Sequence, residues 1–170
     1  GMTPQRSKSG TEFSGSLTRR APQGSFSSSG GGAGQLSAGL FARVAAAVTP
    51  IVVLRQPTTA IPREKTPALV VAVESDTPVK RANDRMERDL IVRVTGFARD
   101  PVDGYAVADD LVCRAHAALM ADPALGDLAL GIAEMEADWQ VEDADMEAVA
   151  IPATYRITYR TFVTDLTSKG

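Results

Sequence analysis

The residue types that could carry out chemistry are few in this chain, and the first pair is a cysteine and a histidine. Cys113 and His116 are three residues apart, which places them on neighbouring turns of one helix face. A Cys–His nucleophile pair needs that closeness and a third group that orients the imidazole. A zinc site needs further Cys or His ligands, and the chain has one of each. We interpret the pair as a packed thiol and a partly exposed imidazole, and we predict no catalytic residue, no bound metal and no enzyme.

Two other patterns suggest ligand sites at first sight. Asp143, Asp145 and Glu147 are spaced like calcium ligands, but an EF-hand loop needs a glycine at its sixth position and a glutamate at its twelfth. The glycines at 30–32 have neither a strand before them nor the lysine of a phosphate-binding loop after them. We interpret the carboxylates as residues of a turn, and we predict no cofactor.

Composition excludes several functional classes. The 170 residues carry a formal net charge of −3, whereas a generic nucleic-acid binder has a basic excess, so we predict no sequence-specific binding of nucleic acid. A single cysteine excludes an internal disulfide. No stretch approaches the ~18 apolar residues that span a bilayer, and no signal-peptide core opens the chain. We therefore predict a protein of the cytoplasm, without a membrane partner.

The chain divides into a tail and a body. Residues 1–35 are rich in serine and glycine, so they bury too little apolar surface to offset the entropy of ordering, and we predict a flexible segment. Gly1, before Met2, is interpreted as a cloning scar. Residues 36–164 form a single predicted domain, and 165–170 a C-terminal tail.

Apolar spacing predicts the elements of the body. Ser37 caps a first helix that ends at Thr49-Pro50. A second helix runs from Asp100-Pro101 to about Met120, with Val107, Leu111, Ala115 and Leu119 on one apolar stripe. The predicted strands are 51–56, 68–75, 90–98, 132–141 and 151–162. Residues 76–89 are predicted to be a charged loop. This order indicates an α+β fold, in which a mainly antiparallel or mixed sheet of about five strands carries two helices on one face.

The last predicted strand has the clearest alternation of apolar and polar residues. In "ATYRITYRTF" (153–162), aromatic and aliphatic residues alternate with threonines and arginines, which predicts a half-buried strand. A hairpin between 132–141 and this strand, with its turn near Asp145-Met146, would place Glu136 opposite Arg156 and Glu134 opposite Thr158. Trp139 is then a predicted core residue, near Met135 and Tyr155.

Charge is segregated along the chain. Between Arg114 and Arg156 there are nine acidic residues and no Lys or Arg. The basic residues concentrate in the tail, in 76–89 and on the last strand. Opposed patches can register association between copies, and this distribution leads to a set of candidate interface residues: Lys80, Arg81, Arg85, Arg88, Arg156 and Arg160 on the basic side, and Glu142, Asp143, Asp145 and Glu147 on the acidic side.

The body resembles the tail-terminator, or tail-completion, proteins of long-tailed bacteriophages and prophages, a group of minor tail proteins. The resemblance lies in the element order from Leu36 to Phe162 and in the strings "ALVVAVES", "ERDLIVRVTGFARD", "YAVADDLVCRAHAALMADPALGDL" and "ATYRITYRTF". It covers about three quarters of the chain and does not include the Ser/Gly-rich tail.

The resemblance implies a structural role in the virion tail. The subunit would form a homo-oligomeric ring, usually a hexamer, assembled in the host cytoplasm. The ring would cap the tail tube, ending its growth, and would present a surface to the head-completion proteins. Partners would be further copies of the chain, the tube protein and a head-completion protein. A neck or head–tail connector protein is the alternative, and a small-ligand-binding α+β domain ranks below it.

Overall fold

A five-stranded sheet with two helices forms the structure, a computed structural model that describes residue 1, residues 31–136 and residues 148–170. The helices are α1 (Gly32–Val48) and α2 (Gly104–Ala121), and a short 3₁₀ helix covers Arg63–Lys65. The strands are β1 (Val52–Arg55), β2 (Ala68–Ala82), β3 (Arg85–Ala98), β4 (Gly131–Met135) and β5 (Val149–Phe162).

The strands are arranged in the order β1-β2-β3-β5-β4. β1 pairs with β2 in parallel, and the three remaining pairs are antiparallel. β3 is the central strand, because it pairs along its whole length with β5 and along most of it with β2. The predicted α+β class with a mixed sheet of five strands and two helices is confirmed.

The hydrophobic core lies between the sheet and the helices, on one face of the sheet only. A single buried cluster joins Leu40 and Val44 of α1 and Leu111 of α2 to Val92 of β3 and Tyr155 of β5. Burial of side chains of this size contributes about 1.5–3 kcal/mol each. The predicted helix stripe is largely confirmed, since Leu111, Ala115 and Leu119 are buried. On the opposite face, which we call the open face, no helix of the described residues packs.

The first helix begins earlier than its sequence pattern indicates. α1 starts at Gly32, and its expected cap, Ser37, is a buried residue inside the helix that accepts a hydrogen bond from Arg55. The helix start is held by the C-terminal segment, because the backbone N–H of Gly32 donates to the carbonyl of Leu166 at 2.6 Å. This long-range cap explains why local capping chemistry misplaced the start. The predicted end before Thr49-Pro50 is confirmed.

One glycine permits the close approach of α2 to the sheet. A Cβ atom built on Gly96 of β3 would lie 2.4 Å from the carbonyl oxygen of Ala108 and 2.9 Å from a methyl group of Val112. The first of these atoms belongs to the backbone, so α2 would have to move away from β3. Gly96 therefore sets the distance at which the helix packs.

We predict that Gly96→Ala lowers the free energy of unfolding by about 1–3 kcal/mol, the usual cost of overpacking a core. Gly34→Ala is the matched control, because a Cβ there meets nothing within 4 Å. In a helix it should raise stability by about 0.5–1 kcal/mol. Urea unfolding measures both, and equal effects of the two substitutions would contradict the packing argument.

Candidate assembly surface

The two faces of β5 have separate environments. Tyr155, Ile157 and Tyr159 are buried under the helices, whereas Arg156 and Arg160 are exposed on the open face. The predicted alternation of this strand is thus confirmed. The strand contributes a core on one side and a polar row on the other.

The polar row of β5 contacts side chains of β3. The predicted register of the hairpin between β4 and β5 was wrong. An Arg160 guanidinium nitrogen lies 3.5 Å from a Glu87 carboxylate oxygen, and the Thr158 hydroxyl donates to Asp89 at 2.8 Å. Both carboxylates belong to the strand that lies on the other side of β5. The open face is therefore partly neutralised within the subunit, as expected, but by a different strand.

Because the predicted register was wrong, the two faces of β4 were also assigned the wrong way round. Ala133 lies opposite Arg156, and Glu134 lies opposite Tyr155, which is a shift of three residues from the expected pairs. An odd shift moves every side chain to the other face. Ile132 is the residue that packs against the core, while Met135 is exposed. Trp139 and the expected turn at 145–146 lie outside the described residues.

The segment predicted as a charged loop is a β-hairpin. β2 and β3 continue through it, so that residues 75–89 form a hairpin that we call the arm, and the β3 strand of this hairpin also pairs with β5. Its turn is at Asn83, which has a φ of 56°, and residues 74–85 are exposed. Asn readily adopts positive φ in a tight hairpin turn, so "AND" at 82–84 was the available signal. Strands exposed on both faces lack apolar alternation, which is why the pattern was missed.

The root of the arm is held by a polar cluster around Asp76. The Tyr159 hydroxyl donates to one Asp76 carboxylate oxygen at 2.9 Å, and the Arg88 Nε–H donates to the other at 3.2 Å. Burial and then the Asp76 contact raise the pKa of Tyr159 from 10.0 to about 12. The arm is thus joined to the body by charge-assisted hydrogen bonds.

The basic candidate residues divide into paired and unpaired groups. Arg88 is paired with Asp76, and Arg160 with Glu87. At the arm tip, the Arg81 Nε–H donates to the backbone carbonyl of Asn83, and the Arg85 guanidinium lies 5.7 Å from the centre of the Phe162 ring. Among the described residues, no carboxylate forms an ion pair with Lys80, Arg81 or Arg85.

The acidic candidate residues Glu142, Asp143, Asp145 and Glu147 lie outside the described residues. The described acidic side chains closest to them in sequence are Glu134 and Glu136, both exposed at the end of β4. Met135 pairs with Thr154, while the arm tip pairs with Phe162. These two β5 positions are eight residues apart, or about 26 Å along an extended strand. Acidic and basic patches thus lie well apart along the sheet.

Cys113 and His116 have different environments, so the predicted packed thiol was wrong. Cys113 is exposed, because it lies off the buried stripe of α2. His116 is half-buried, and its Nδ1 lies 2.8 Å from the hydroxyl oxygen of Tyr155. Burial, and then the charges of Glu134 and Cys113, raise the pKa of Tyr155 from 10.0 to about 12. His116 thus provides a hydrogen-bond partner for a buried phenol.

A groove of about 380 Å³ lies on the open face beneath the loop that precedes β2. Ile61, Val70, Phe97 and Pro152 line it with apolar atoms, and Arg99 lies at its wall. Within the described part of the chain, no group of three or more metal-ligating side chains occurs. The helices found in that part are too short or too polar to cross a bilayer.

Comparison with known proteins finds a likeness among solved structures. No family model and no curated protein matches the chain. Among solved structures, it is similar to a chain of the virion of native gene transfer agent (GTA) particle, with 13% sequence identity and a TM-score of 0.46. The match covers 81% of this chain and 100% of that chain. A likeness at that identity and TM-score does not assign the chain to a family.

The two buried tyrosines predict a loss of stability at alkaline pH. Their folded-state pKa values, about 12, exceed the unfolded value of 10.0, so folding favours the protonated phenols. That contribution is complete below pH 10 and is lost as the pH rises towards 12. We expect the melting temperature to fall across this window, and the fall to be smaller in Tyr155→Phe and Tyr159→Phe. An unchanged slope in both variants would contradict the assignment.

The hydrogen bond between His116 and Tyr155 can be tested by a double-mutant cycle. We predict that His116→Ala lowers the free energy of unfolding by about 1–3 kcal/mol, because it leaves a buried hydroxyl without its partner. In the Tyr155→Phe background the same substitution should cost less, since no hydroxyl remains to be satisfied. Urea unfolding of the four proteins gives the coupling energy, and strict additivity would show that the contact contributes nothing.

Proposed function

We propose that this protein is a phage structural protein that caps the tail tube as a ring of identical subunits. The separation of two oppositely charged patches along one sheet carries the proposal. The arm tip presents Lys80, Arg81 and Arg85 without ion-pair partners among the described residues, and the end of β4 presents Glu134 and Glu136. The sequence resemblance to tail terminators supplies the particular role.

A ring needs two different patches on each subunit. In a cyclic assembly, one patch of a subunit contacts the other patch of its neighbour, and the assembly closes when the rotation between copies allows it. Complementary charge favours this contact over the contact between identical patches, because like charges repel. The positions of the arm and of β4 meet this requirement.

The mechanism that we propose is steric and does not involve chemical catalysis. One face of the ring would bind the last ring of tube protein in the host cytoplasm. The other face would offer no site for a further tube subunit, so growth of the tube would stop. That second face would then bind a head-completion protein, which would leave the protein in the tail of the finished virion.

We predict that particles assembled without this protein have tails of uncontrolled length. The measurement is the distribution of tail lengths in electron micrographs of a phage or prophage that lacks the gene, with the gene supplied in trans as the control. Restored uniform length with the intact chain would support the terminator role.

Two other outcomes would redirect the proposal. Tails of normal length that fail to join heads would contradict the terminator role and would favour the neck or head–tail connector protein. Normal, head-joined tails would contradict both assembly roles.

A further inference from the structure

A small cleft at the arm tip has an excess of positive charge. Lys80, Ala82, Arg85, Glu87 and Arg160 line a space of about 70 Å³. Three of these side chains are cationic, and one is a carboxylate. The lining of this cleft, which we call the tip cleft, therefore carries a net positive charge.

The subunit does not neutralise this excess. Glu87 contacts Arg160 at 3.5 Å. It also lies opposite Lys80 in the strand register, but among the described residues it forms no ion pair with that lysine. Arg85 stacks on Phe162 and contacts no carboxylate among the described residues. The arm root differs, because Asp76 there accepts hydrogen bonds from Arg88 and Tyr159.

The arm presents side chains to a partner more readily than it presents its backbone. Among the described strands, none pairs with the β2 edge of the arm. β2 contains Pro78 and has two irregularities in its pairing with β3, between Val73 and Ser75 and between Pro78 and Lys80. Proline, lysine and bulges are the usual means by which an exposed strand edge resists the addition of another strand. A partner of the arm should therefore be recognised by charge.

We propose that the tip cleft binds carboxylates of a second copy of this chain, supplied by Glu134 and Glu136 at the end of β4. This inference rests on the proposed function and names the contact that closes the ring. Both glutamates are exposed and form no ion pair within the described residues. The cleft lies level with Arg160 to Phe162 of β5, and Glu134 lies opposite Tyr155. Five to seven residues, or about 16–23 Å of extended strand, therefore separate the cleft from Glu134 along the sheet. A rigid subunit cannot bring its own patches together, so they meet between copies.

Charge reversal with complementation tests the contact. Lys80→Glu combined with Arg85→Glu makes the tip acidic, and Glu134→Lys combined with Glu136→Lys makes the end of β4 basic. Each double variant alone should self-associate at least about tenfold more weakly than the wild type, because like charges then face each other. An equimolar mixture of the two should associate again, since every contact in an alternating ring is complementary.

Matched controls separate this contact from a general effect of charge. Arg63→Glu combined with Lys65→Glu changes the net charge by the same amount on the 3₁₀ helix, away from the arm, and should leave self-association unchanged. Circular dichroism establishes that every variant is folded. Sedimentation velocity measures association, at low and at moderate salt, because screening should weaken the contact.

Zero-length crosslinking provides an independent readout. A carbodiimide joins a lysine amine to a carboxylate in direct contact, and mixing isotopically labelled and unlabelled chains identifies the links that connect two copies. We expect Lys80 to be linked to Glu134 or Glu136 of the other copy. Failure of complementation together with the absence of this link would overturn the inference, as would a chain that stays monomeric at every concentration.

The inference and the proposed function can fail separately. One outcome is uncontrolled tail length without the protein, combined with no effect of the charge reversals on self-association. This outcome would support the terminator role and would indicate that the tip cleft contacts the tube protein instead of a second copy. Complementation in vitro, combined with normal tails in a phage that lacks the gene, would support the contact between copies and exclude the terminator role. Binding of the cleft to DNA in place of a second copy, detected by competition, would overturn the inference.

Discussion

The antiparallel pairing of β3 with β5 is the constraint on which the rest of the structure depends. The ladder runs without a shift from Arg85 opposite Phe162 to Ala98 opposite Val149. Because side chains alternate with a period of two, this one register places Val92 and Tyr155 together in the core. It also places Glu87 beside Arg160 on the open face. Core, polar row and arm are consequences of a single alignment.

Sequence periodicity was sufficient to identify the buried side of an element where one face of that element is buried. The alternation in β5 and the spacing of Leu111, Ala115 and Leu119 in α2 identified the buried sides, because apolar burial on one side leaves a regular pattern. The fold class followed from the order of such elements. The start of α1 was misplaced because it is capped by a residue more than a hundred positions away, which no local pattern records.

The strands of the arm and the register of β4 could not be predicted from sequence periodicity. The arm carries charge on both faces, so it has the composition of a loop. Its strand character depends on the pairing of its β2 part with its β3 part and of that β3 part with β5. β4 has five residues, and several registers satisfy its weak alternation. The role of the basic candidate residues at an interface therefore stays a prediction. Which of them form ion pairs among the described residues could be read only from the three-dimensional contacts of Asp76 and Glu87.

The contact between Gly32 and Leu166 has a practical consequence for labelling. It brings the beginning of α1 beside the last residues of the chain, and Lys169 in turn bridges to Thr161 near the arm. Residues 31 and 170 therefore lie on the same side of the domain, next to the arm end of β5. A fluorophore attached at residue 31 or at residue 170 would crowd the same region of the surface. An insertion in the loop before β2, on the open face, would give a probe in a separate place.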